Sequence, residues 1–192
     1  RYHIQLLGYD NNYIILDASD QKAVLKDLYK KVGVKSQDLS MSLVLSKISA
    51  YKMQRMTYEE VMKLAFTQED KQIAELYRSY EKYLHLQKVL DFDDLLIKTV
   101  ELFEKFPDIL ERYADKFKYI HVDEFQDTND IQYQIVSMLA KKNENLYIVG
   151  DPDQAIYSWR GANDALILDF DRNFADTETV VLEENYRSTQ VI

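Results

Sequence analysis

The chain has 192 residues, which suits one domain or two small ones, and 46% of them are hydrophobic, as in ordinary globular proteins. With a formal net charge of −9, electrostatic binding of nucleic acid by the whole protein surface is not expected. The lack of cysteine excludes disulfides and thiolate metal sites. No apolar run reaches the ~18 residues of a membrane span and no secretory leader is visible, so we expect a cytoplasmic protein without a membrane partner.

Helical patterns fill the first half of the chain. The predicted helices cover residues 19–33, 39–56, a segment beginning at 57, and residues 69–89, 92–106 and 108–117. Gly33 is suited to ending the first helix, and Thr57 with Glu60 forms a capping-box pattern at the start of the third. Asp91 is the predicted N-cap of the helix over 92–106. Asp93 and Asp94 in its first turn would interact favourably with the helix dipole.

The second half alternates between short β-rich runs and helical spacing. Strands are predicted at residues 119–122, 146–149 and 179–182, with helices at 130–142 and 163–174. This alternation is typical of a parallel sheet with crossover helices, so the predicted fold class is α/β with an additional helical domain. We place the boundary near residues 90 to 95, with a helical subdomain over 1–92 and the α/β part over 93–192.

Polar clusters follow all three predicted strands. The clusters are Asp123 and Glu124 after the first strand, Asp151, Asp153 and Gln154 after the second, and Glu183, Glu184, Asn185, Tyr186 and Arg187 after the third. In open parallel sheets, ligands bind beyond the carboxyl ends of the strands. Three clusters at one edge of one sheet therefore predict a site.

An apolar strand that runs into Asp123 and Glu124 has the pattern of a Walker B element. The first carboxylate can hold Mg²⁺, and the second can orient or deprotonate the water that attacks a γ-phosphate. Two alternatives remain open on these residues alone, since the pair could cap the following helix or face solvent. His121 in the same strand is interpreted as a sheet residue, not as a catalyst.

Longer motifs carry a resemblance to a known family. The segments VDEFQDTN (122–129), GDPDQAIYSWRGA (150–162) and LEENYRS (182–188) together resemble the UvrD/PcrA/Rep family of superfamily I DNA helicases. LDFDDLL (90–96) is similar to another element of that family, and ILDASDQ (15–21) is similar to the segment that leads into its accessory helical domain. The resemblance implies that residues 93–192 form the C-terminal part of the first RecA-like, P-loop NTPase motor domain.

The resemblance implies ATP as substrate and Mg²⁺ as cofactor. Asp123 would bind the metal ion, Glu124 would be the catalytic base, and Gln154 would detect the γ-phosphate. Tyr186 would stack on adenine, and Arg187 would reach the γ-phosphate. From the residues alone, the favoured interpretation of Arg187 is a surface salt bridge with Glu183 or Glu184.

The resemblance also implies contacts with single-stranded and duplex DNA. Trp159 would stack on a base, Tyr157 and Arg160 would contact DNA or link the two sites, and Phe92 would face the DNA groove. Stacking on an aromatic ring is worth ~1–3 kcal/mol per base and is tolerant of sequence, which suits a protein that moves along DNA. The alternative for Trp159 is a core residue.

A phosphate cradle of the form G-x-x-x-x-G-K-[ST] does not occur in these residues. We therefore expect a fragment of a longer helicase that serves DNA repair or replication, inactive by itself and monomeric or associated only through an exposed sheet edge. Two other interpretations stay open: a subunit of a helicase-nuclease, and a binding module without catalytic activity.

Overall fold

A computed structural model describes residues 1–35, 37–156, 161–163, 165–174 and 176–184. The helices are α1 (Ala18–Val32), α2 (Met41–Met53), α3 (Tyr58–Lys63), α4 (Gln68–Gln87), α5 (Phe92–Lys105), α6 (Pro107–Lys116), α7 (Asp130–Ala140), α8 (Ala165–Leu168) and α9 (Phe170–Asn173). The strands are β1 (Ile120–Val122) and β2 (Leu146–Ile148), and 3₁₀ turns cover Ile4–Leu7, Phe125–Asp127 and Pro152–Gln154. The described chain is thus mostly helical, with one small parallel sheet.

Helix boundaries follow the local capping chemistry that the sequence predicts. Glu60 accepts a hydrogen bond of 2.7 Å from the backbone N–H of Thr57, and the Thr57 hydroxyl accepts one of 3.3 Å from the N–H of Glu60. Asp91 and Asp94 form the same reciprocal box at the start of α5. Gly33 ends α1 in the left-handed region at φ 78°, which glycine adopts without steric cost. The predicted caps and the predicted stop are confirmed.

Helices α1 to α4 share one hydrophobic core. Most of the stability of a helix in a protein comes from packing of its apolar face, so these four helices bury their apolar faces against one another. The largest fully buried side chains of this core are Leu25, Val44, Ile48, Leu76 and Tyr80. The core draws on residues 16 to 89.

A buried ionic cluster lies where this helical core meets α5. Lys52 Nζ on α2 lies 2.8 Å from Asp91 and 2.9 Å from Asp94, and 3.3 Å from Glu81 on α4. The hydroxyl of Tyr80 donates to Asp91 at 3.1 Å. Burial disfavours the charged lysine, but the surrounding carboxylates outweigh this effect and raise the pKa of Lys52 above its usual value. From the sequence, the acidic residues at the start of α5 were predicted to interact with the helix dipole. Asp91 and Asp94 also pair with Lys52.

The sheet pairs β1 with β2 in parallel, with Ile120 opposite Leu146 and Val122 opposite Ile148. Helix α7 makes the crossover between them and packs against α5 and α6. Phe125, just after β1, is fully buried and meets the ring edges of Tyr133 and Phe170 at centroid distances of 6.2 and 5.7 Å. This anchor fixes the chain where it leaves β1.

Two predicted elements differ from the structure. Residues 179–182 do not form a strand, and Val180, Val181 and Leu182 are 75%, 73% and 87% exposed, because no described strand lies alongside to accept their hydrogen bonds. The helix predicted over 163–174 is divided into α8 and α9 at Asp169.

The side chain of His121 is exposed and lies against Tyr147 on the neighbouring strand, with ring centroids 5.4 Å apart. Its place in β1 agrees with the interpretation as a sheet residue. Within the part of the chain that the structure describes, no helix has both the length and the apolar character needed to cross a membrane.

Candidate active site

Two polar loops lie side by side at the carboxyl ends of β1 and β2. We call residues 123–129 the β1 loop and residues 150–156 the β2 loop. The N–H of Val149 donates to the carbonyl of Val122, and the N–H of Phe125 donates to the carbonyl of Val149, each at 2.9 Å. These bonds extend the pairing past the strands, so both loops begin at the same edge of the sheet.

Asp123 is the first residue of the β1 loop and its side chain is exposed. Its Oδ1 accepts the N–H of Glu124 at 2.9 Å, which orients the carboxylate beside the strand end. Mg²⁺ prefers few protein carboxylates and keeps several of its waters. An exposed, oriented carboxylate of this kind fits that requirement, and the described residues contain no cluster of three or more side chains that would suit a fully protein-coordinated ion.

Glu124 adopts an unusual backbone conformation for its residue type. Its φ of 50° lies in the left-handed region, which costs about 1–2 kcal/mol for a residue with a side chain. Strain of this kind is concentrated at functional sites, where the surrounding structure maintains it. The Glu124 carboxylate is exposed, and its Oε2 accepts a hydrogen bond of 2.8 Å from Nε2 of Gln126.

Gln126 connects the two loops. Its side chain is 2% exposed, and its Oε1 accepts the N–H of Asp151 at 3.1 Å while its Nε2 donates to Glu124. Gly150 makes this approach possible. A Cβ at position 150 would lie 2.6 Å from Gln126 Oε1 and 2.9 Å from Ile167 Cδ1, which is closer than non-bonded atoms allow.

Asp151 organises the β2 loop. Its Oδ1 accepts the N–H of Asp153 at 3.0 Å, and its Oδ2 accepts Nε2 of Gln154 at 2.7 Å. The second of these bonds orients the amide of Gln154, which is exposed at the end of the short 3₁₀ turn. The structure therefore joins Asp123, Glu124 and Gln154 through one continuous set of hydrogen bonds.

The other predicted site residues have different outcomes. Tyr157, Trp159 and Arg160 of the predicted DNA contacts, and Tyr186 and Arg187 of the predicted nucleotide contacts, lie outside the described residues. Asn163, which follows the first group, contacts the end of the β1 loop and the start of α7. Asn163 donates from its backbone to the carbonyl of Thr128 at 3.0 Å and from its side chain to Asp130 at 2.9 Å.

Phe92 is the first residue of α5 and is 59% exposed. It follows directly after the buried Asp91, so the ionic cluster fixes the backbone from which Phe92 projects. No described contact joins Phe92 to the β1 or β2 loop. Its predicted role in DNA binding stays a prediction.

Sequence analysis missed Gln126, Gly150 and the contacts of Lys52. Gln126 stands inside the motif that was singled out, but a single amide carries no spacing signal. Lys52 is separated from Asp91 by 39 residues, and nothing in a local pattern indicates that pairing. The two missed side chains share the feature that each is polar and buried.

These features define a class of protein. Residues 1–175 match the UvrD/REP helicase N-terminal domain, and the chain belongs to that family. Among individual relatives, it is 42% identical over 186 residues to the ATP-dependent DNA helicase PcrA of Staphylococcus aureus strain Mu50, and 43% identical over 186 residues to that of Staphylococcus epidermidis strain RP62A. Each match covers 97% of this chain and 26% of the relative, so the chain spans about a quarter of the length of these helicases.

Proposed function

We propose that this chain provides the catalytic carboxylates and part of the DNA contacts of an ATP-dependent DNA helicase that moves 3′ to 5′ on single-stranded DNA and unwinds duplex DNA. The convergence of Asp123, Glu124 and Gln154 at the ends of two paired parallel strands carries this proposal. Residues 93–192 would be the C-terminal part of the first RecA-like motor domain, and residues 1–92 the accessory helical subdomain with the segment that leads into it.

The chemistry divides among the residues of the two loops. Asp123 would hold Mg²⁺, which when bound neutralises charge on the phosphates. Glu124 would accept the proton of the attacking water, and its left-handed backbone and its bond to Gln126 orient the carboxylate for this task. Gln154 would detect the γ-phosphate with its side-chain amide. Arg187 would stabilise the negative charge that develops there.

The remaining residues would bind substrate and DNA. Tyr186 would stack on the adenine of ATP, and Trp159 would stack on a base of single-stranded DNA. Tyr157, Arg160 and Phe92 would add DNA contacts. Hydrolysis also needs a phosphate-binding loop, and since none occurs in these 192 residues, we expect the isolated chain to release no phosphate from ATP.

The two alternatives differ from this function in testable ways. A non-catalytic binding module has no need of a glutamate whose carboxylate is oriented by a buried amide beside a second polar loop, and the bond between Glu124 and Gln126 supports the catalytic interpretation. A helicase-nuclease would use the same motor chemistry together with a nuclease site elsewhere in the protein. Cleavage of DNA that depends on ATP by the full-length protein would identify that case.

The direct test is Glu124→Gln in the full-length protein. The substitution keeps the size of the side chain and removes its ability to take a proton. Nucleotide binding should persist, while DNA-stimulated phosphate release falls by about 10²-fold or more. ATP turnover near the wild-type rate would remove Glu124 from its role. The matched control is Glu144→Gln, a glutamate that also has a positive φ, of 53°, but precedes β2, at the opposite end of the strand from the loops.

A further inference from the structure

The side chain of Gln126 bonds with both ends of its amide, and each end serves a different loop. Nε2 donates to the Glu124 carboxylate at 2.8 Å, and Oε1 accepts the Asp151 N–H at 3.1 Å. Gln126 itself is 2% exposed, so water cannot reach its side chain to replace a lost hydrogen-bond partner. A buried amide that lost either partner would keep an unsatisfied polar atom, which destabilises the folded chain.

Only one orientation of this amide satisfies both neighbours. An ionised glutamate carboxylate can only accept a hydrogen bond, whereas a backbone N–H can only donate one. The NH₂ end must therefore face Glu124 and the oxygen must face Asp151. An amide that is fixed in this way transmits a displacement of one loop to the other.

The network continues beyond Gln126 to the residue predicted to detect phosphate. Asp151 receives the Gln126 bond at its backbone N–H and holds Gln154 through its side chain at 2.7 Å. Gly150 lets the β2 loop approach, because any side chain there would collide with Gln126 Oε1. Glu124 and Gln154 are thus joined by three hydrogen bonds, of which the middle one is donated by the backbone N–H of Asp151.

We propose that Gln126 is a positioning residue that sets the orientation of Glu124 and couples it to Gln154, so that the proton acceptor and the phosphate-detecting amide move as one unit. Its effect on hydrolysis rests on the proposed function. The hydrogen-bonded coupling itself does not, since it is a property of the fold.

The coupling is tested by a double-mutant cycle in this 192-residue chain, with the Tm as the readout. Gln126→Glu keeps an acceptor for the Asp151 N–H but sets a carboxylate against Glu124, and should lower the Tm by about 2–10 °C. Adding Glu124→Gln restores a donor and an acceptor with reversed polarity, so the double variant should recover most of that loss. Additive effects of the two substitutions would overturn the proposal.

Gln132→Glu is the matched control. Gln132 lies six positions further along the chain, is exposed, and uses its Oε1 only as an acceptor for the Asn129 N–H at 3.1 Å. A glutamate retains that bond, and the Tm should not fall. If Gln126→Glu alone does not fold, the double variant decides the matter: recovery of a folded chain supports the coupling, and failure to fold overturns it.

The consequence for catalysis is measured in the full-length protein with Gln126→Leu, which removes both bonds and introduces an apolar side chain of similar size. We expect kcat for ATP to fall by about 10- to 100-fold, with KM for ATP changed by less than about twofold. A residue needed only for folding would reduce the amount of folded protein and leave kcat per folded molecule unchanged, which would overturn the proposal. Absence of ATP hydrolysis in the wild-type protein would instead refute the proposed function, and the stability cycle would still decide the coupling.

Discussion

The ammonium group of Lys52 on α2 lies 2.8 Å from both carboxylate oxygens of Asp91, the N-cap of α5. Both side chains are almost fully buried, and Asp94 from the first turn of α5 approaches the same nitrogen at 2.9 Å. The core of helices α1 to α4 is therefore attached to α5 through a buried charged contact that water does not screen. Exposed salt bridges contribute little to stability, but removal of one partner from a buried pair is costly.

Substitution of Lys52 by Met should destabilise the chain by about 3–5 kcal/mol, because Asp91 and Asp94 would be left buried without their counter-ion. Urea denaturation followed by circular dichroism at pH 7 would measure this loss. Lys30→Met is the matched control, since Lys30 pairs with Asp27 on the exposed surface, and it should change the free energy of unfolding by less than about 0.5 kcal/mol. Equal effects of the two substitutions would contradict this account of the buried cluster.

The same cluster predicts a pH dependence of stability. Burial raises the pKa of Asp94 above its ordinary value of 3.8, against the lowering effect of Lys52, and the carboxylate of Asp91 adds to the increase. The folded state then holds a proton that the unfolded state has released, so this contribution to stability is present below pH 3.8 and is lost as the pH rises through the folded pKa. The free energy of unfolding of Asp94→Asn should lack this decline. An unchanged pH profile in the variant would show that Asp94 does not titrate differently in the two states.

Replacement of Gly150 by Ala should destabilise the chain by about 1–3 kcal/mol, since the added Cβ would lie 2.6 Å from Gln126 Oε1 and 3.2 Å from the Gln126 backbone nitrogen. The experiment compares Gly150→Ala in the wild-type background with the same change in Gln126→Ala. Because Gln126→Ala removes the closest atom, the second cost should be smaller than the first. If Gly150→Ala destabilised the chain equally in both backgrounds, the Gln126 side chain would not be the group that collides with the added Cβ.

Trp159 provides a test of DNA binding in the full-length protein. Trp159→Ala should weaken binding of single-stranded DNA by about 1–3 kcal/mol and reduce the stimulation of ATP hydrolysis by DNA. Trp159→Phe keeps an aromatic face and should retain most of the affinity, which separates stacking from general disruption of the loop. Fluorescence anisotropy with a labelled oligonucleotide measures both variants. Wild-type affinity in Trp159→Ala would assign this side chain to the core.

The sequence by itself determined the local features of this protein. The caps at Thr57 and Asp91 and the stop at Gly33 depend on bonds between residues a few positions apart, and such bonds leave a pattern. The strand predicted at 179–182 is absent because a strand needs a neighbour along its edge, and no property of the segment itself supplies one.

Only the tertiary structure decided which polar groups meet. Gln126 and Asp151 are 25 residues apart, and Lys52 and Asp91 are 39 apart, so their contacts follow from the packing of whole elements and not from any local period. Burial then makes those contacts strong, because a charged or amide group without water must find its partner within the protein. Short segments of the sequence determine which polar residues form the site. Its geometry depends on the pairing of the two parallel strands, which places the loops that follow them side by side.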